Sequence, residues 1–226
     1  MNPHNRTVAQ IVDEQVAKWR LGFLAAESGE HRPVITISRD PGSLGRPVAK
    51  RISELYGLDL YAGNIIDEVA KNAHMSASVI RCLDERARTY VDDLMSSLLG
   101  ERNLSADEYL EHLVKIIGTI GRMGHAVVLG RGANFILPAE RVFKVRVIAP
   151  MAARVKHVME EFGVAEAEAT RRVKIVELDR AGFVRKYFHA DISDPLNYDL
   201  TVNSARMSVD QCVDGIVASL PWKLKA

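Results

Sequence analysis

Val34 to Val48, VITISRDPGSLGRPV, runs from an apolar β-branched stretch through a glycine-containing basic turn into a helical pattern. A strand, a turn and a helix N-terminus in that order leave backbone N–H groups pointing into one concavity, where an anion completes their hydrogen bonds and a basic side chain adds charge. The stretch is therefore a candidate phosphate cradle. Against the spacing G-x-x-x-x-G-K-[ST] the fit is partial. Asp40 stands at the first glycine, Gly45 at the second, Arg46 at the lysine and Pro47 at the hydroxyl position. An ordinary strand-to-helix turn has the same outline, so the rest of the chain has to decide between them.

A chain of 226 residues, 47% hydrophobic and 26% charged, can bury the core of one α/β domain. Thirty Lys and Arg against 29 Asp and Glu leave a net charge of +1, so no global field favours nucleic acid or an anionic membrane as partner. Phosphate binding has to be local. Cys82 and Cys212 lack C-x-x-C spacing or histidine company, which points to buried reduced thiols rather than a zinc site or a disulfide. The 7 histidines show no metal-ligand spacing, and the sequence leaves any metal ligand unassigned. No apolar run approaches the roughly 20 residues that span a bilayer, and MNPHNRT has no apolar leader core. A cytoplasmic protein is the expectation.

Around the opening stretch the chain alternates strand and helix patterns. Thr7 to Ala26 repeats Val8, Ile11, Val12, Val16, Trp19 and Leu24 at helical spacing, ahead of a polar linker from Glu27 to Pro33. This helix, within residues 1–32, packs on the domain or on a second subunit, and a homodimer through it is one expectation. After the turn the patterns predict a helix at Val48 to Tyr56, closed by Gly57, and a strand at Leu58 to Tyr61. Asn64 to Met123 reads as helical, with Ser105 and Glu108 spaced as a capping box before Tyr109, Leu110, Leu113, Ile116, Ile117 and Ile120. Ala126 to Gly130 and Val142 to Ile148 have the β-branching of strands in a covered sheet. Helices follow from Pro150 to Gly163 and from Ala165 to Lys186, then a strand at Asp199 to Val202 and a last helix capped by Ser208 and Gln211. Such alternation predicts a parallel α/β sheet with right-handed crossovers.

ITISRDPGSLGRPVAKRI, GLDLYAGNIIDEVAK, VVLGRGANFILPAERVFKVRVIAPMAARVKHVMEE, ELDRAGFVRKYF and NYDLTVNSARMSVDQCVDGI follow one another along the chain. In that order they resemble the cytidylate kinase-like family, a branch of the P-loop nucleoside monophosphate kinases. The first segment matches that branch's Ser-Arg and G-S-x-G-R at Ser38, Arg39, Gly42, Ser43, Gly45 and Arg46. The others are similar to the start of a monophosphate-binding insertion, a G-R-D segment, an arginine-rich lid, and a final strand and helix. The likeness spans Val34 to Leu220. It implies a three-layer P-loop NTPase fold, an α/β architecture with a parallel sheet of about five strands, in a domain at 33–226. Within it a helical acceptor-binding insertion would occupy 62–123 and a helical lid 165–190.

The resemblance further implies phosphoryl transfer from ATP to a nucleoside monophosphate such as CMP, with Mg2+. That reaction needs two polyanions held in line, neutralisation of the transferred charge and exclusion of water. Arg39, Gly42, Ser43, Leu44, Gly45, Arg46 and Pro47 would form the ATP-phosphate set. Gly130, Arg131 and Gly132 would form the acceptor set, with the glycines leaving room for a phosphate. Arg46, Arg131, Arg180, Arg185 and Asp179 would act on the transferred group, Asp179 by orienting an arginine or reaching the metal through water. Arg154, Arg171, Arg172 and Lys174 read as solvated charges on helix faces, and Asp84, Glu85, Asp92 and Asp93 likewise. Tyr187 and Phe188 either stack on a base or cover the lid's apolar side.

Four departures separate the chain from the family pattern. Pro47 has no hydroxyl for magnesium, and Gly132 replaces the carboxylate of G-R-D. Leu178 and Gly182 interrupt the lid pattern R-D-x-x-D-x-x-R, and Asp67 stands where a phosphate-binding arginine is usual. A nucleotide-binding regulatory protein without turnover is therefore the competing function. A GTPase is disfavoured, because no N-K-x-D motif is present.

Overall fold

The computed structural model describes residues 33–71, 77, 85–98 and 107–222. Five strands form one parallel sheet: β1 (Val34–Arg39), β2 (Asp59–Ala62), β3 (Ala126–Leu129), β4 (Phe143–Ile148) and β5 (Leu200–Asn203), in the order β2-β3-β1-β4-β5. Central β1 pairs Val34 with Ala126 on one side and Ile35 with Phe143 on the other. Side chains alternate between the faces of each strand. Val34, Ala126 and Val128 accordingly join one apolar cluster, while Ile35, Ile37, Val127 and Leu129 join another. Both faces are covered, which is why the strands read as continuous apolar runs. This is the three-layer α/β architecture with a five-stranded parallel sheet expected from the sequence.

Helices α1 (Gly45–Tyr56), α2 (Gly63–Lys71), α3 (Glu85–Ser96) and α4 (Glu108–Met123) come first, and α4 buries Leu110, Leu113, Ile116, Ile117 and Ile120. A single turn, α5 (Ala133–Ile136), follows β3. Beyond β4 come α6 (Met151–Phe162), the 23-residue α7 (Glu166–Phe188) and α8 (Val209–Ala218). Gly163 ends α6, and Ser208 with Gln211 makes the capping box of α8, both as the sequence indicated. Cys212 is buried and free, and Glu85, Asp92 and Asp93 are exposed. The N-terminal helix, Cys82, Asp84 and Ser105 lie outside the described residues.

Several boundaries differ. Helix α1 starts at Gly45, ahead of Val48, because Leu44 takes a left-handed φ of 62° and turns the chain into the helix at once. Strand β2 sits one residue later than expected. The cap of α4 is Asp107, whose carboxylate accepts from the Leu110 N–H at 3.0 Å, so the spacing of Ser105 with Glu108 does not set that helix start. Arg154 is not a solvated charge. It is buried on α6 and bonded to Glu177 of α7 at 3.0 Å.

The turn after β3 carries three consecutive positive φ values, at Gly130 (84°), Arg131 (54°) and Gly132 (68°). A methyl on Gly132 would overlap the Phe188 ring, whereas one on Gly57 (φ 65°) would meet nothing within 4 Å. Both Gly→Ala changes carry the left-handed penalty of about 1–2 kcal/mol. Only Gly132→Ala adds overpacking, worth about 1–3 kcal/mol. Urea unfolding is expected to rank Gly132→Ala below Gly57→Ala by at least about 1 kcal/mol, and equal losses would show that Phe188 does not press on the turn.

Candidate functional site

The loops after β1, β3 and β4 all open at the carboxyl edge of the sheet, where open parallel sheets bind ligands. In the first loop the amides of Gly45 and Arg46 begin α1 and have no acceptor one turn earlier. Ser43 behaves differently. Its N–H donates to the Asp40 carbonyl at 3.3 Å, and its buried hydroxyl lies 2.9 and 2.8 Å from the carbonyl oxygens of Asp40 and Val147. It braces the turn from inside, its N–H and hydroxyl both spent on carbonyls of the protein, whereas the sequence predicts a phosphate cradle of backbone amides from Gly42 to Arg46. His157 Nδ1 donates to the Gly42 carbonyl at 2.8 Å, and Pro47 sits exposed in the first helical turn, where its missing N–H is no loss.

Guanidinium groups crowd this edge. Arg39, last in β1, lies beneath the β3 turn, where a Cβ on Gly130 would overlap its Nη1. Arg180 of α7 donates to the Arg39 carbonyl at 2.7 Å. Arg146 of β4 donates to Ser38 Oγ at 2.8 Å and Asp40 Oδ1 at 2.6 Å. Burial, then the charges of Arg180, Arg131, Arg46 and Arg146, pull Arg39 down to about 9. Burial and then Arg146 bring Arg180 to about 10, with Asp40 opposing. Both stay protonated at neutral pH, held against burial and like charge. An anion among them relieves that cost.

Two cavities meet at these arginines. One, about 570 Å³, is lined by Ser38, Gly130, Arg131, Asn134 and Phe183; the other, about 830 Å³, lies between the β1 turn, His157 and Phe162 of α6 and Arg172 of α7. Arg39, Arg46 and Arg180 line both. Each has the volume of an ordinary small-molecule site.

Arg131 belongs to the smaller cavity alone. Its Nε donates to the Gly63 carbonyl and its Nη2 to Asp67 Oδ2, both at 3.1 Å. Asp67 Oδ1 accepts from Tyr109 at 2.6 Å, and Lys71 lies 3.1 Å from Oδ2. Hydrogen bonds from Tyr109 and Lys71 and the Arg131 charge outweigh burial and hold the Asp67 carboxyl below its usual range.

Helix α7 sorts its residues by period. Val176, Arg180, Phe183 and Val184 share the face that lines the smaller cavity, and exposed Asp179 borders it. Arg185, five residues past Arg180, is turned about 140° around the helix. It is exposed beside His189 and Asp191, apart from the two cavities, contrary to the expectation that it closes over the transferred group. Tyr187 and Phe188 are buried: Tyr187 donates to Asp107 at 2.8 Å, and Phe188 stacks on Phe135 at 5.2 Å. They cover the lid's apolar side. Gly130 and Gly132 line the smaller cavity, and their missing side chains also make room for Arg39 and Phe188. Arg171 and Arg172 both bond Glu168; Arg171 is exposed as expected, Arg172 is half-buried over the Phe162 ring, and both line the larger cavity.

With this geometry in place, comparison with known proteins is informative. A family model described as the cytidylate kinase-like family matches residues 34–206. The chain belongs to the cytidylate kinase-like family. It is similar to a cytidylate kinase of Methanopyrus kandleri, 28% identical over 83% of this chain and 92% of that one. A second relative is a cytidylate kinase of Desulfurococcus amylolyticus, 26% identical over 84% and 94%. Among solved structures, an uncharacterized protein from Eubacterium ventriosum has a TM-score of 0.59 at 23% identity, covering 83% of this chain and 97% of that one. That likeness concerns the fold.

Kinases of this family invite the question of a metal. Among the described residues no three His, Cys, Asp or Glu side chains gather as a metal site. Asp40 is taken by Arg146, and Asp179 is the one carboxylate lining the smaller cavity. Among the described residues the carboxylates lining the cavities are Asp179 in the smaller and Asp40 and Glu161 in the larger, so a magnesium ion there would take most of its ligands from phosphate and water, an ordinary arrangement for that ion.

Three site residues escaped the sequence reading. Arg146 sits within an apolar strand, and a charge inside a covered sheet must be paired, which is the signal that was there to find. Tyr109 reads as one more residue of an amphipathic helix. Asn134 is buried with its Nδ2 unpartnered, and nothing in its spacing announces that.

If crowded cations define the site, a polyanion should stabilise the fold. Tripolyphosphate at 100 times its Kd is expected to add about 2.7 kcal/mol, read as a rise in Tm that NaCl at equal ionic strength does not reproduce. Arg39→Ala should shrink that rise. No difference from NaCl would remove the anion site.

Proposed function

We propose that this member of the cytidylate kinase-like family transfers the γ-phosphoryl group of ATP to a nucleoside monophosphate of the CMP type. The observation that carries the proposal is the sharing of Arg39, Arg46 and Arg180 by two nucleotide-sized cavities. Three cations at the junction favour ligands whose anionic ends meet there. The one further arginine of the smaller cavity is already paired with Asp67.

ATP would lie in the larger cavity, its phosphates against the Gly45 and Arg46 amides, with Arg46 on the β- and γ-phosphates. The monophosphate would lie in the smaller one, gripped by Arg131. An acceptor phosphate oxygen attacks the γ-phosphorus while the bond to the β–γ bridging oxygen breaks and leaves its electron pair on ADP. The acceptor phosphate, with a second pKa near 6, needs no general base at neutral pH. Arg39 and Arg180 neutralise charge on the transferred group as it moves. Magnesium, when bound to the nucleotide, supplies further neutralisation. Phe183, Val184 and Val176 on the same helix face exclude water from the junction. Pro47, lacking a hydroxyl, supports the second reading, nucleotide binding without turnover.

A coupled assay with ATP, Mg2+ and a panel of monophosphates, run beside binding titrations, separates the two. Arg46→Ala should weaken ATP by the about 1.5–3 kcal/mol of a charge-assisted hydrogen bond. Arg180→Ala should lower kcat more than it raises the KM for ATP. Arg131→Ala should abolish acceptor use and spare ATP binding, while Arg185→Ala should leave kcat/KM within about twofold. ATP binding with no product from any acceptor would favour the regulatory reading.

A further inference from the structure

The acceptor-side arginine is held in an unusual way for a phosphate-binding group. Five guanidinium N–H groups are arranged on two usable edges, each able to meet a pair of oxygens. In Arg131 the side edge, Nε and Nη2, is spent on Gly63 and Asp67. The end edge, Nη1 with the second N–H of Nη2, remains for a ligand. The carboxylate that fixes this orientation is itself fixed, because Asp67 Oδ1 takes the Tyr109 hydroxyl and Oδ2 takes Arg131. The Arg131 guanidinium carbon also lies 5.9 Å from the centroid of the Phe183 ring on α7.

Resting on the assignment of the smaller cavity to the acceptor, we infer that Asp67 and Tyr109 are positioning residues that present the end edge of Arg131 to the acceptor phosphate. Asp67 is thus a carboxylate that aims Arg131 across from the turn after β3. The pair is partly open to solvent, at 34% exposure for Arg131 and 16% for Asp67. A partly exposed ion pair contributes little to stability, so orientation is the stronger account of it. Because Gly63, Asp67 and Tyr109 lie on α2 and α4, the same bonds tie the helical acceptor segment to the sheet edge.

The test uses the full-length protein with CMP and UMP as acceptors. Asp67→Asn keeps the volume but leaves one acceptor oxygen for three donors, Arg131, Tyr109 and Lys71. It should raise the acceptor KM at least tenfold and leave ATP affinity within twofold. Tyr109→Phe keeps the ring packed near Tyr187 and should raise the acceptor KM three- to tenfold. In an Arg131→Ala background, Asp67→Asn should add less than a further twofold loss, because a positioning residue has nothing left to position. Fully additive losses, equal losses for ATP and acceptor, or an acceptor KM within twofold of wild type for Asp67→Asn would each overturn the inference. If Arg131→Ala leaves CMP use or binding intact, the acceptor assignment itself fails. One readout needs no acceptor: the Arg131 Nη2–H NMR signal, which reports the bond to Asp67, should exchange with water at least tenfold faster in Asp67→Asn, and unchanged exchange overturns the inference.

Discussion

Like-charged guanidinium groups forced together at the carboxyl end of β1 are the constraint on which the site depends. Arg39, Arg46, Arg131, Arg146 and Arg180 come from separate elements, and the charges of the other four all depress Arg39. Such a cluster persists only where surrounding structure compensates. Arg146 is buried but satisfied by Asp40 and Ser38, and breaking a buried pair of this kind leaves an uncompensated charge. That pair fixes the first residue of the β1 turn. Arg39 and Arg180 hold their charge against burial and their neighbours, a cost that an anion bound among them would relieve.

Glycines make the convergence possible at short range. Gly130 admits the Arg39 guanidinium under the β3 turn, and Gly132 admits Phe188 from the far end of α7. The same turn that presents Arg131 thereby docks the long helix that brings Arg180. Tyr187 extends the docking through Asp107 to the start of α4. The two cavities and the helix over them therefore share one small set of contacts. A carboxylate at position 132 would compete with the Phe188 ring for space, which gives the missing family carboxylate a steric reason in this chain.

The sheet was legible because its strands are covered on both faces and its helices alternate with them; apolar runs such as VVLG at 127–130 and VFKVRVI at 142–148 have few other destinations. Arg46, Arg131 and Arg180 were legible from a family pattern that spans separate segments. What failed to show was anything decided by direction around a helix or by cross-chain pairing. Arg185 shares the lid segment with Arg180 but not its face. Arg154 looks like one of many charges on α6 until Glu177 of α7 is placed beside it. Asp67 looked like a loss of charge at a phosphate site, and only its bonds to Tyr109 and Arg131 give it a role.

Central to the account is that donor and acceptor phosphates meet at one arginine junction between two cavities. A single ligand carrying adenosine and cytidine joined through five phosphates spans both at once, and its affinity by titration calorimetry tests the claim directly. Linking two occupied subsites converts the second binding event into an intramolecular one, and gains of about 10²-fold or more follow when the geometry permits. The account predicts binding at least about 100-fold tighter than ATP alone, with the gain abolished by Arg131→Ala. Affinity no greater than that of ATP would contradict it.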